Sequence, residues 1–452
     1  MRIFAKTNVD ILHGYLRHTI ILYTIPLVLT SFLNLFFHAS DMLVVGRFAG
    51  SAALAAVGAS GTTTQFLFHV YGGLGTAINI MISQALGARN HNSASKILHT
   101  AAGSSLLLGI IIAAFGLYFS KPVLTLLGTP PEVLPQAMLY LRIYCMGIPG
   151  GACYNFLAAA LIGKGDTTSP FIILSIAGVS NVFMNLVFVI VFHMGVAGVA
   201  TATALSLYFS AIMVAHKLSR MNEAWKLRRH LIRIDFRLLL SIFRLGFPAS
   251  VNGILFAACN MYLQSAINTF GAMAMAGCAA SSTITSFIYV SMDGFRRAAL
   301  TFTGQHYGAK LYHRMREIFK ISMIYATVAG LAIGLLAVCF RHALLGLFVT
   351  AEEAIHYGSI HLSIMGYTYF LCGMMNVFDG AIRGLGYSML PTLITFVGIV
   401  GFRVFWISTV FPKYHHLGVL LSAFPGSWII ILLIYAATYR FFLNNKIHPK
   451  ST

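Results

Sequence analysis

Charged residues are scarce in this chain of 452 residues. Only 9% of its residues are charged, whereas 58% are hydrophobic. So few polar side chains cannot cover the surface of a water-soluble globule of this size. The composition therefore predicts a protein that lies in lipid.

Several chemical signatures are missing as well. The chain has no H-E-x-x-H, no G-x-S-x-G and no G-x-x-x-x-G-K-[ST] pattern, which argues against a zinc peptidase, a serine hydrolase and ATP as a driving force within the chain. Its six cysteines form no C-x-x-C pair and all fall in apolar stretches, so they are predicted to be small buried side chains. The seventeen histidines are scattered. We expect no cofactor, no metal and no enzymatic activity.

Long apolar stretches are what the sequence does contain. A helix needs about 20 apolar residues to cross the roughly 30 Å core of a bilayer. Twelve stretches reach that length, and they predict an all-α integral membrane protein. Their approximate bounds are 16–47, 52–85, 98–119, 134–161, 169–192, 195–217, 239–270, 274–306, 318–340, 355–382, 389–411 and 416–443.

The net charge of +19 is concentrated in alternate loops. The central stretch from Lys217 to Arg244 carries eight basic residues, and the amino end and the carboxyl tail are basic too. Basic loops stay on the cytoplasmic side of a membrane, so both termini and the central stretch are predicted to be cytoplasmic. No basic run is interleaved with stacking aromatics, so the charge is assigned to topology and contact with membrane lipids, not to nucleic acid.

The sequence repeats itself with a shift of 221 residues. Identical residues recur at the pairs Gly50 and Gly271, Gln84 and Gln305, Gly87 and Gly308, Ala88 and Ala309, Asn155 and Asn376, Gly163 and Gly384, Gly165 and Gly386, and Pro170 and Pro391. Each half has six spans, an even number, so the two halves have the same orientation in the membrane, as in a parallel repeat. The predicted division is an N-terminal six-helix lobe (1–218), a basic linker (219–238) and a C-terminal six-helix lobe (239–452).

Five segments in register resemble one family. "IPLVLTSFLNLFFHASDMLVVGRFAGSAALAAVGAS", "SQALGARN", "YLRIYCMGIPGGACYNFLAAALIGKGDTTSP", "NVFMNLVFVIVFHMGVAGVATATALS" and "LTFTGQHYGA" together resemble the multidrug and toxic compound extrusion (MATE) family, and its bacterial DinF-like branch more than its NorM-like branch. The resemblance implies a twelve-helix antiporter of a bacterial cell membrane. Such a protein exports amphipathic organic compounds, often cations, in exchange for protons or sodium. We expect it to act as a monomer.

Asp41 is the leading candidate for ion coupling. It lies about six residues, roughly 9 Å of helix, from the outer end of the first span. A charged group inside the bilayer is costly and needs a partner, a water-filled cavity or a function. Asp41 matches the acidic residue in the family's first helix, and Pro26 matches the proline that the family links to bending of that helix. The plainer alternative is an ion pair between Asp41 and Arg47.

Five polar residues in later spans are predicted to share a cavity with Asp41. They are Asn155, Asn181, Asn185, Thr201 and Thr203. Asn181 and Asn185 are four residues apart and therefore lie on one helix face. The second acid of some family members is replaced by Asn185, and the acids that NorM-like members carry in spans seven and ten are replaced near Phe256 and Cys372. A single carboxylate favours a proton over sodium as the coupling ion.

The second lobe contains two charged pairs with a spacing of four residues, Asp293 with Arg297 and Asp379 with Arg383. Such pairs mostly neutralise each other. Basic groups nevertheless outnumber acids inside the predicted spans once Arg296, Arg142 and Arg403 are counted. The excess leaves an alternative function, a flippase for a lipid-linked saccharide or a similar anionic lipid. A membrane acyl- or prenyl-transferase is a third interpretation, which the duplicated halves disfavour.

Overall fold

The computed structural model describes residues 9–442, which are helical almost throughout and include no strand. In chain order the elements are α1 (Leu16–Phe48), α2 (Ser51–Gly87), α3 (His91–Leu126), α4 (Leu134–Lys164), α5 (Thr168–Leu186), α6 (Gly195–Ser219), α7 (Phe236–Asn268), α8 (Ala272–Gly308), α9 (Tyr312–Cys339), α10 (Arg341–Gly346), α11 (Glu352–Gly384), α12 (Met389–Thr395), α13 (Phe402–Phe405), α14 (Leu417–Leu421) and α15 (Ala423–Phe442). A π-helical turn extends α5 to Val191, and two more, Phe396–Gly401 and Trp406–Val410, join α12 to α13 and extend α13.

Each predicted span coincides with a helix or with an interrupted helix, so the all-helical prediction is confirmed. The largest difference is at α3, which extends seven residues beyond the predicted 98–119 at each end. Eleven segments of the described chain are long and apolar enough to cross a membrane. The twelfth span is α11, which is 33 residues long but has Glu352 and Glu353 in its first turn and Arg383 in its last. Polar side chains in its interior, such as His361 and Asn376, also lower its hydropathy without shortening the helix.

The internal repeat is visible in the backbone as well as in the sequence. Gly50 precedes α2 with φ of 90°, and Gly271 precedes α8 with φ of 91°. Glycine adopts this region readily because it has no Cβ atom. Arg89 and Lys310, also 221 residues apart, both have positive φ, 54° and 59°. Equivalent turns therefore end and begin equivalent helices in the two halves.

Contacts divide the described residues into two units that do not simply follow chain order. The first unit contains Leu29–Ser250, and the second contains Ile11–Val28 and the residues from Val251 onward. The boundaries fall inside α1 and α7, in each case two residues after a proline, Pro26 and Pro248. The first half of α1 thus belongs to the unit that contains the second half of α7. The predicted lobes, 1–218 and 239–452, describe the order of the chain and remain a prediction.

Small residues allow close helix packing in each unit. In the first unit, a Cβ atom on Gly147 of α4 would lie 2.7 Å from the Cα atom of Ala204 in α6. In the second unit, a Cβ atom on Gly380 of α11 would lie 2.2 Å from the carbonyl oxygen of Arg296 in α8. Such approaches are available only where the side chain is absent. The second contact brings the charged end of α11 against the charged stretch of α8.

The predicted linker, 219–238, is packed against the first unit. Trp225 is only 1% exposed and belongs to the hydrophobic core of that unit. The backbone N–H of Arg228 donates to Nε2 of His99 in α3 at 3.0 Å, and Lys164 of α4 forms an ion pair with Glu223 at 2.5 Å. The stretch after α6 is therefore a folded part of the unit, although its composition is that of a loop.

We expect Trp225→Ala to destabilise the protein by about 3–5 kcal/mol, because it removes a large side chain from a packed core and leaves a cavity. Thermal unfolding of the purified protein in detergent measures the effect. Leu231→Ala is the matched control, since Leu231 lies in the same stretch and is 41% exposed. Equal unfolding temperatures for the two variants would contradict the structural role of Trp225.

Candidate functional site

Asp41 lies in the second half of α1 and is 9% exposed. Nδ2 of Asn185 donates a hydrogen bond to its Oδ1 atom at 2.5 Å. The Asn181 amide satisfies its neighbours when its nitrogen faces Asp41. In that orientation it donates to Oδ1 at 3.1 Å and accepts from the backbone N–H of Thr203 at 3.3 Å. Neutral amide donors therefore hold the carboxylate.

The α1–α5 contact explains why these side chains meet. Gly178 of α5 leaves space for the Phe37 ring of α1, since a Cβ atom at Gly178 would lie 1.8 Å from a ring carbon. Residues three and four apart share a helix face. Phe37 and Asp41 therefore lie on one face of α1, and Gly178, Asn181 and Asn185 lie on the facing side of α5. An apolar contact and a polar contact thus fix the same pair of helices.

Tyr140 of α4 is a member of this site that the sequence analysis missed. It is buried and lies within electrostatic reach of Asp41. Its ring stacks on that of Tyr144 with a centroid distance of 6.4 Å, and Tyr144 is hydrogen-bonded to Tyr71 of α2. Three tyrosines are therefore connected to one another, and Tyr140 is the one that lies near the carboxylate. The sequence feature that could have indicated this pair is the spacing of four residues between Tyr140 and Tyr144 in an apolar span, which puts both rings on one helix face.

Not all of the predicted partners converge on Asp41. The structure brings Asn181, Asn185 and Thr203 together with it. Asn155 instead packs against Gly75 of α2, and the Thr201 hydroxyl donates to the Ala197 carbonyl of its own helix at 2.7 Å. A single sequence gives the span of each polar residue but not the direction in which its side chain points.

The alternative pairing of Asp41 with Arg47 is absent from the described ion pairs, and Arg47 is exposed. The Oδ1 atom of Asn185 is buried and has no hydrogen-bond partner among the described residues. Pro26 lies inside α1, and α1 is helical on both sides of it. The cluster around Asp41 thus presents one carboxylate among neutral groups, an arrangement that can exchange a proton without breaking an ion pair.

The second unit differs, because its buried carboxylates are paired with arginines. Asp293 accepts from Nε of Arg296 at 2.5 Å and from Nε of Arg297 at 2.9 Å. Asp379 accepts from Nε of Arg383 at 2.9 Å. Arg296 also lies 3.9 Å from Asp379, so it connects the two predicted pairs into one network. The sequence predicted both pairs of spacing four but not this bridge between α8 and α11.

The described residues contain no group of three or more His, Cys, Asp or Glu side chains that could hold a metal ion. Of the two clusters, the one around Asp41 has a solitary carboxylate, and the one around Asp293 is a network of arginines and aspartates.

Comparisons with known proteins agree with the fold and with the repeat. The MatE family model matches this chain twice, over residues 26–187 and 248–406. The chain is 28% identical over 94% of its length, and 94% of the relative's, to the probable multidrug resistance protein YoeA of Bacillus subtilis. It is 23% identical over 95% of its length, and 93% of the relative's, to the probable multidrug resistance protein NorM of Thermotoga maritima.

A solved structure has the same fold along almost the whole chain. It is described as the outward-facing conformation of a multidrug resistance MATE family transporter, and it superposes with a TM-score of 0.89 at 20% identity, covering 96% of this chain and 97% of that one. The twelve-helix, two-lobed membrane fold is therefore confirmed. The double match of the family model, on either side of the central stretch, places this chain in the MATE family of multidrug efflux transporters.

Proposed function

We propose that this protein is a proton-coupled antiporter that exports amphipathic organic compounds, often cationic, across a bacterial cytoplasmic membrane by alternating access. Asp41 carries the proposal. It is a buried carboxylate in a membrane-spanning helix, and among the described residues only neutral amides contact it through hydrogen bonds. Such a group can be neutralised by a proton or by a cationic compound but not by both at once. Competition of this kind is what an antiporter needs.

Three buried aspartates lie in the membrane-spanning helices, and two of them have arginine partners. A carboxylate that is paired with arginine has little tendency to take up a proton, because protonation would leave the arginine unpaired. Asp41 has no such constraint. Sodium would require several oxygen ligands, and Asn185 turns its amide nitrogen, not its oxygen, toward Asp41. These features favour the proton as the coupling ion.

Protonation of Asp41 would weaken the hydrogen bonds from Asn185 and Asn181, since a neutral acid is a poorer acceptor than a carboxylate. The contact between α1 and α5 would then loosen. Pro26 interrupts the hydrogen-bond ladder of α1, and the boundary between the two units lies two residues beyond it. We expect α1 to bend there when the proton binds. The bend would couple the state of Asp41 to release of the compound.

The proposed orientation in the membrane follows from the distribution of basic residues. The family and the apolar helices give a multi-pass membrane protein. The basic loops favour cytoplasmic termini and a cytoplasmic central stretch. The termini themselves lie outside the described residues. A monomer is the proposed functional unit, with membrane lipids around it.

Reconstitution in liposomes tests the proposed function. An imposed proton gradient should drive movement of ethidium or tetraphenylphosphonium, and a sodium gradient of equal size should drive much less. Protein-free liposomes and liposomes without a gradient are the controls. Movement of a lipid-linked saccharide without movement of either cation would replace drug export with the flippase function.

A further inference from the structure

Arg403 is a buried cation in the interior of the second unit. It lies in α13, between two π-helical turns, and is 1% exposed. Its Nε atom donates to Oγ of Ser427 at 3.1 Å, and its Nη1 atom donates to Oδ1 of Asn260 at 3.4 Å. Its guanidinium carbon lies 4.3 Å from the centroid of the Phe424 ring. Every one of these partners is neutral.

No carboxylate pairs with Arg403 among the described residues, where the aspartates of this unit are bound to Arg296, Arg297 and Arg383. Removing an arginine from water without a counter-ion costs several kcal/mol, and amide, hydroxyl and ring contacts return only part of that cost. Buried charges in proteins are normally paired. Among the described residues, Arg403 therefore lacks the anionic partner that a buried cation normally has.

Trp428 provides a second, independent observation. It is 2% exposed, and its Nε1 donor has no hydrogen-bond partner among the described residues. Its ring lies 5.8 Å from that of Phe424, the ring on which Arg403 packs, and 5.2 Å from that of Tyr369. A buried donor without an acceptor is costly in the same way as an unpaired charge. The guanidinium of Arg403 and the Nε1 donor of Trp428 thus both lie beside the Phe424 ring.

The charge balance of the surrounding unit points the same way. Cys372 lies near both Arg403 and Asp293, so the arginine and the ion-pair network are close to one another. The combined group has four arginines and two aspartates, an excess of two positive charges. Asn260, which covers the Nη1 atom, is itself exposed. A ligand that displaces the Asn260 amide oxygen would therefore reach the guanidinium.

We propose that the second unit contains a binding site for an anionic group, a carboxylate or a phosphate, with Arg403 as its cationic contact and Trp428 as a neutral donor. The rings of Phe424 and Tyr369 would pack against the apolar part of the same molecule. This inference rests on the proposed export function for its ligand class. It extends that class from amphipathic cations to zwitterionic and anionic amphipaths.

A matched pair of dyes tests the site without any ion gradient. Tetramethylrhodamine free acid and its methyl ester differ by one carboxylate, and fluorescence anisotropy with the purified protein gives the affinity for each. We expect Arg403→Gln to weaken binding of the acid at least tenfold and to change binding of the ester less than twofold. Arg403→Lys should retain part of the affinity for the acid. Arg142→Gln, which removes an exposed arginine of the first unit, should leave both affinities unchanged.

Wild-type protein supplies a test that does not depend on folding of the variants. Phenyl phosphate should displace the acid, whereas phenol at the same concentration should not. Failure of phenyl phosphate to displace it, or an unchanged affinity for the acid in folded Arg403→Gln, overturns the proposal. The anionic group could belong to a lipid headgroup or to a soluble compound. Binding of the acid in nanodiscs with and without phosphatidylglycerol distinguishes the two. Loss of acid binding only in the phosphatidylglycerol discs supports the site and assigns it to a lipid headgroup, and equal binding assigns it to soluble compounds.

Transport assays keep this proposal separate from the export function. If a gradient drives movement of the ester but binding of the acid does not depend on Arg403, the export function is supported and the anion site is contradicted. Binding of the acid that depends on Arg403, in liposomes that move neither dye, would support the site and remove export.

Discussion

Replacing Asp41 by asparagine is expected to abolish proton-driven export while leaving the protein folded. The asparagine side chain has the shape of the aspartate but cannot gain or lose a proton near neutral pH. It would therefore hold the site permanently in the equivalent of its protonated state. The change also removes a charge from the membrane interior, so membrane insertion should not suffer. We expect the export rate under a proton gradient to fall at least 100-fold, which corresponds to about 2.7 kcal/mol in the driven step.

The measurement is the initial rate of ethidium movement in proteoliposomes at a fixed pH difference, with thermal unfolding measured in parallel. Glu353→Gln is the control for charge removal, because Glu353 is an exposed carboxylate in the first turn of α11. It should transport at the wild-type rate. Asp41→Glu keeps a carboxylate with a longer side chain and should retain a measurable rate. An Asp41→Asn protein that transports as fast as the wild type would show that the coupling carboxylate lies elsewhere.

The helices were predictable because membrane helices are marked by length and apolarity. The solvent imposes both properties on every span. The ends were less predictable. In α3 the helix continues from 98 back to His91, where polar residues extend it beyond the apolar core. The packing of the linker was not predictable at all, since a basic stretch that contains a single buried tryptophan has the composition of a loop.

The site was predictable in part. Residues four apart on one helix, such as Asn181 and Asn185, necessarily share a face, and the family resemblance singled out Asp41. The rotation of one helix relative to another is set by packing contacts such as Phe37 against Gly178. A single sequence does not reveal them. Asn155 and Thr201 were therefore placed in the correct spans but face other neighbours, and Tyr140 was missed. The unpaired state of Arg403 likewise became visible only from its contacts.

Replacing Asp293 by asparagine is expected to have the opposite effect, a large loss of stability that precedes any change in coupling. Asp293 accepts one bond from Arg296 and one from Arg297, and it is buried. Asparagine would leave two arginines facing each other with only the more distant Asp379, 3.9 Å from Arg296, as a counter-ion. Breaking a fully buried ion pair by removing one partner costs about 3–5 kcal/mol, and the partial exposure of the two arginines, 22% and 39%, puts the expected loss toward the lower end of that range. We therefore expect a clearly lower unfolding temperature and a lower yield from membranes.

Thermal unfolding in detergent measures this loss, and the double variant Asp293→Asn with Arg297→Gln is the sharper comparison. It removes one charge of each sign, so it should recover part of the stability that the single variant loses. A merely steric effect at Asp293 would instead make the double variant no more stable than the single one. An Asp293→Asn protein that unfolds like the wild type but has lost coupling to the proton gradient would place the working carboxylate in the second unit. In that outcome Asp41 would serve only as a hydrogen-bond acceptor that holds the two asparagines of α5. The arginines around Asp293 would then be the groups that respond when Asp293 gains or loses its charge.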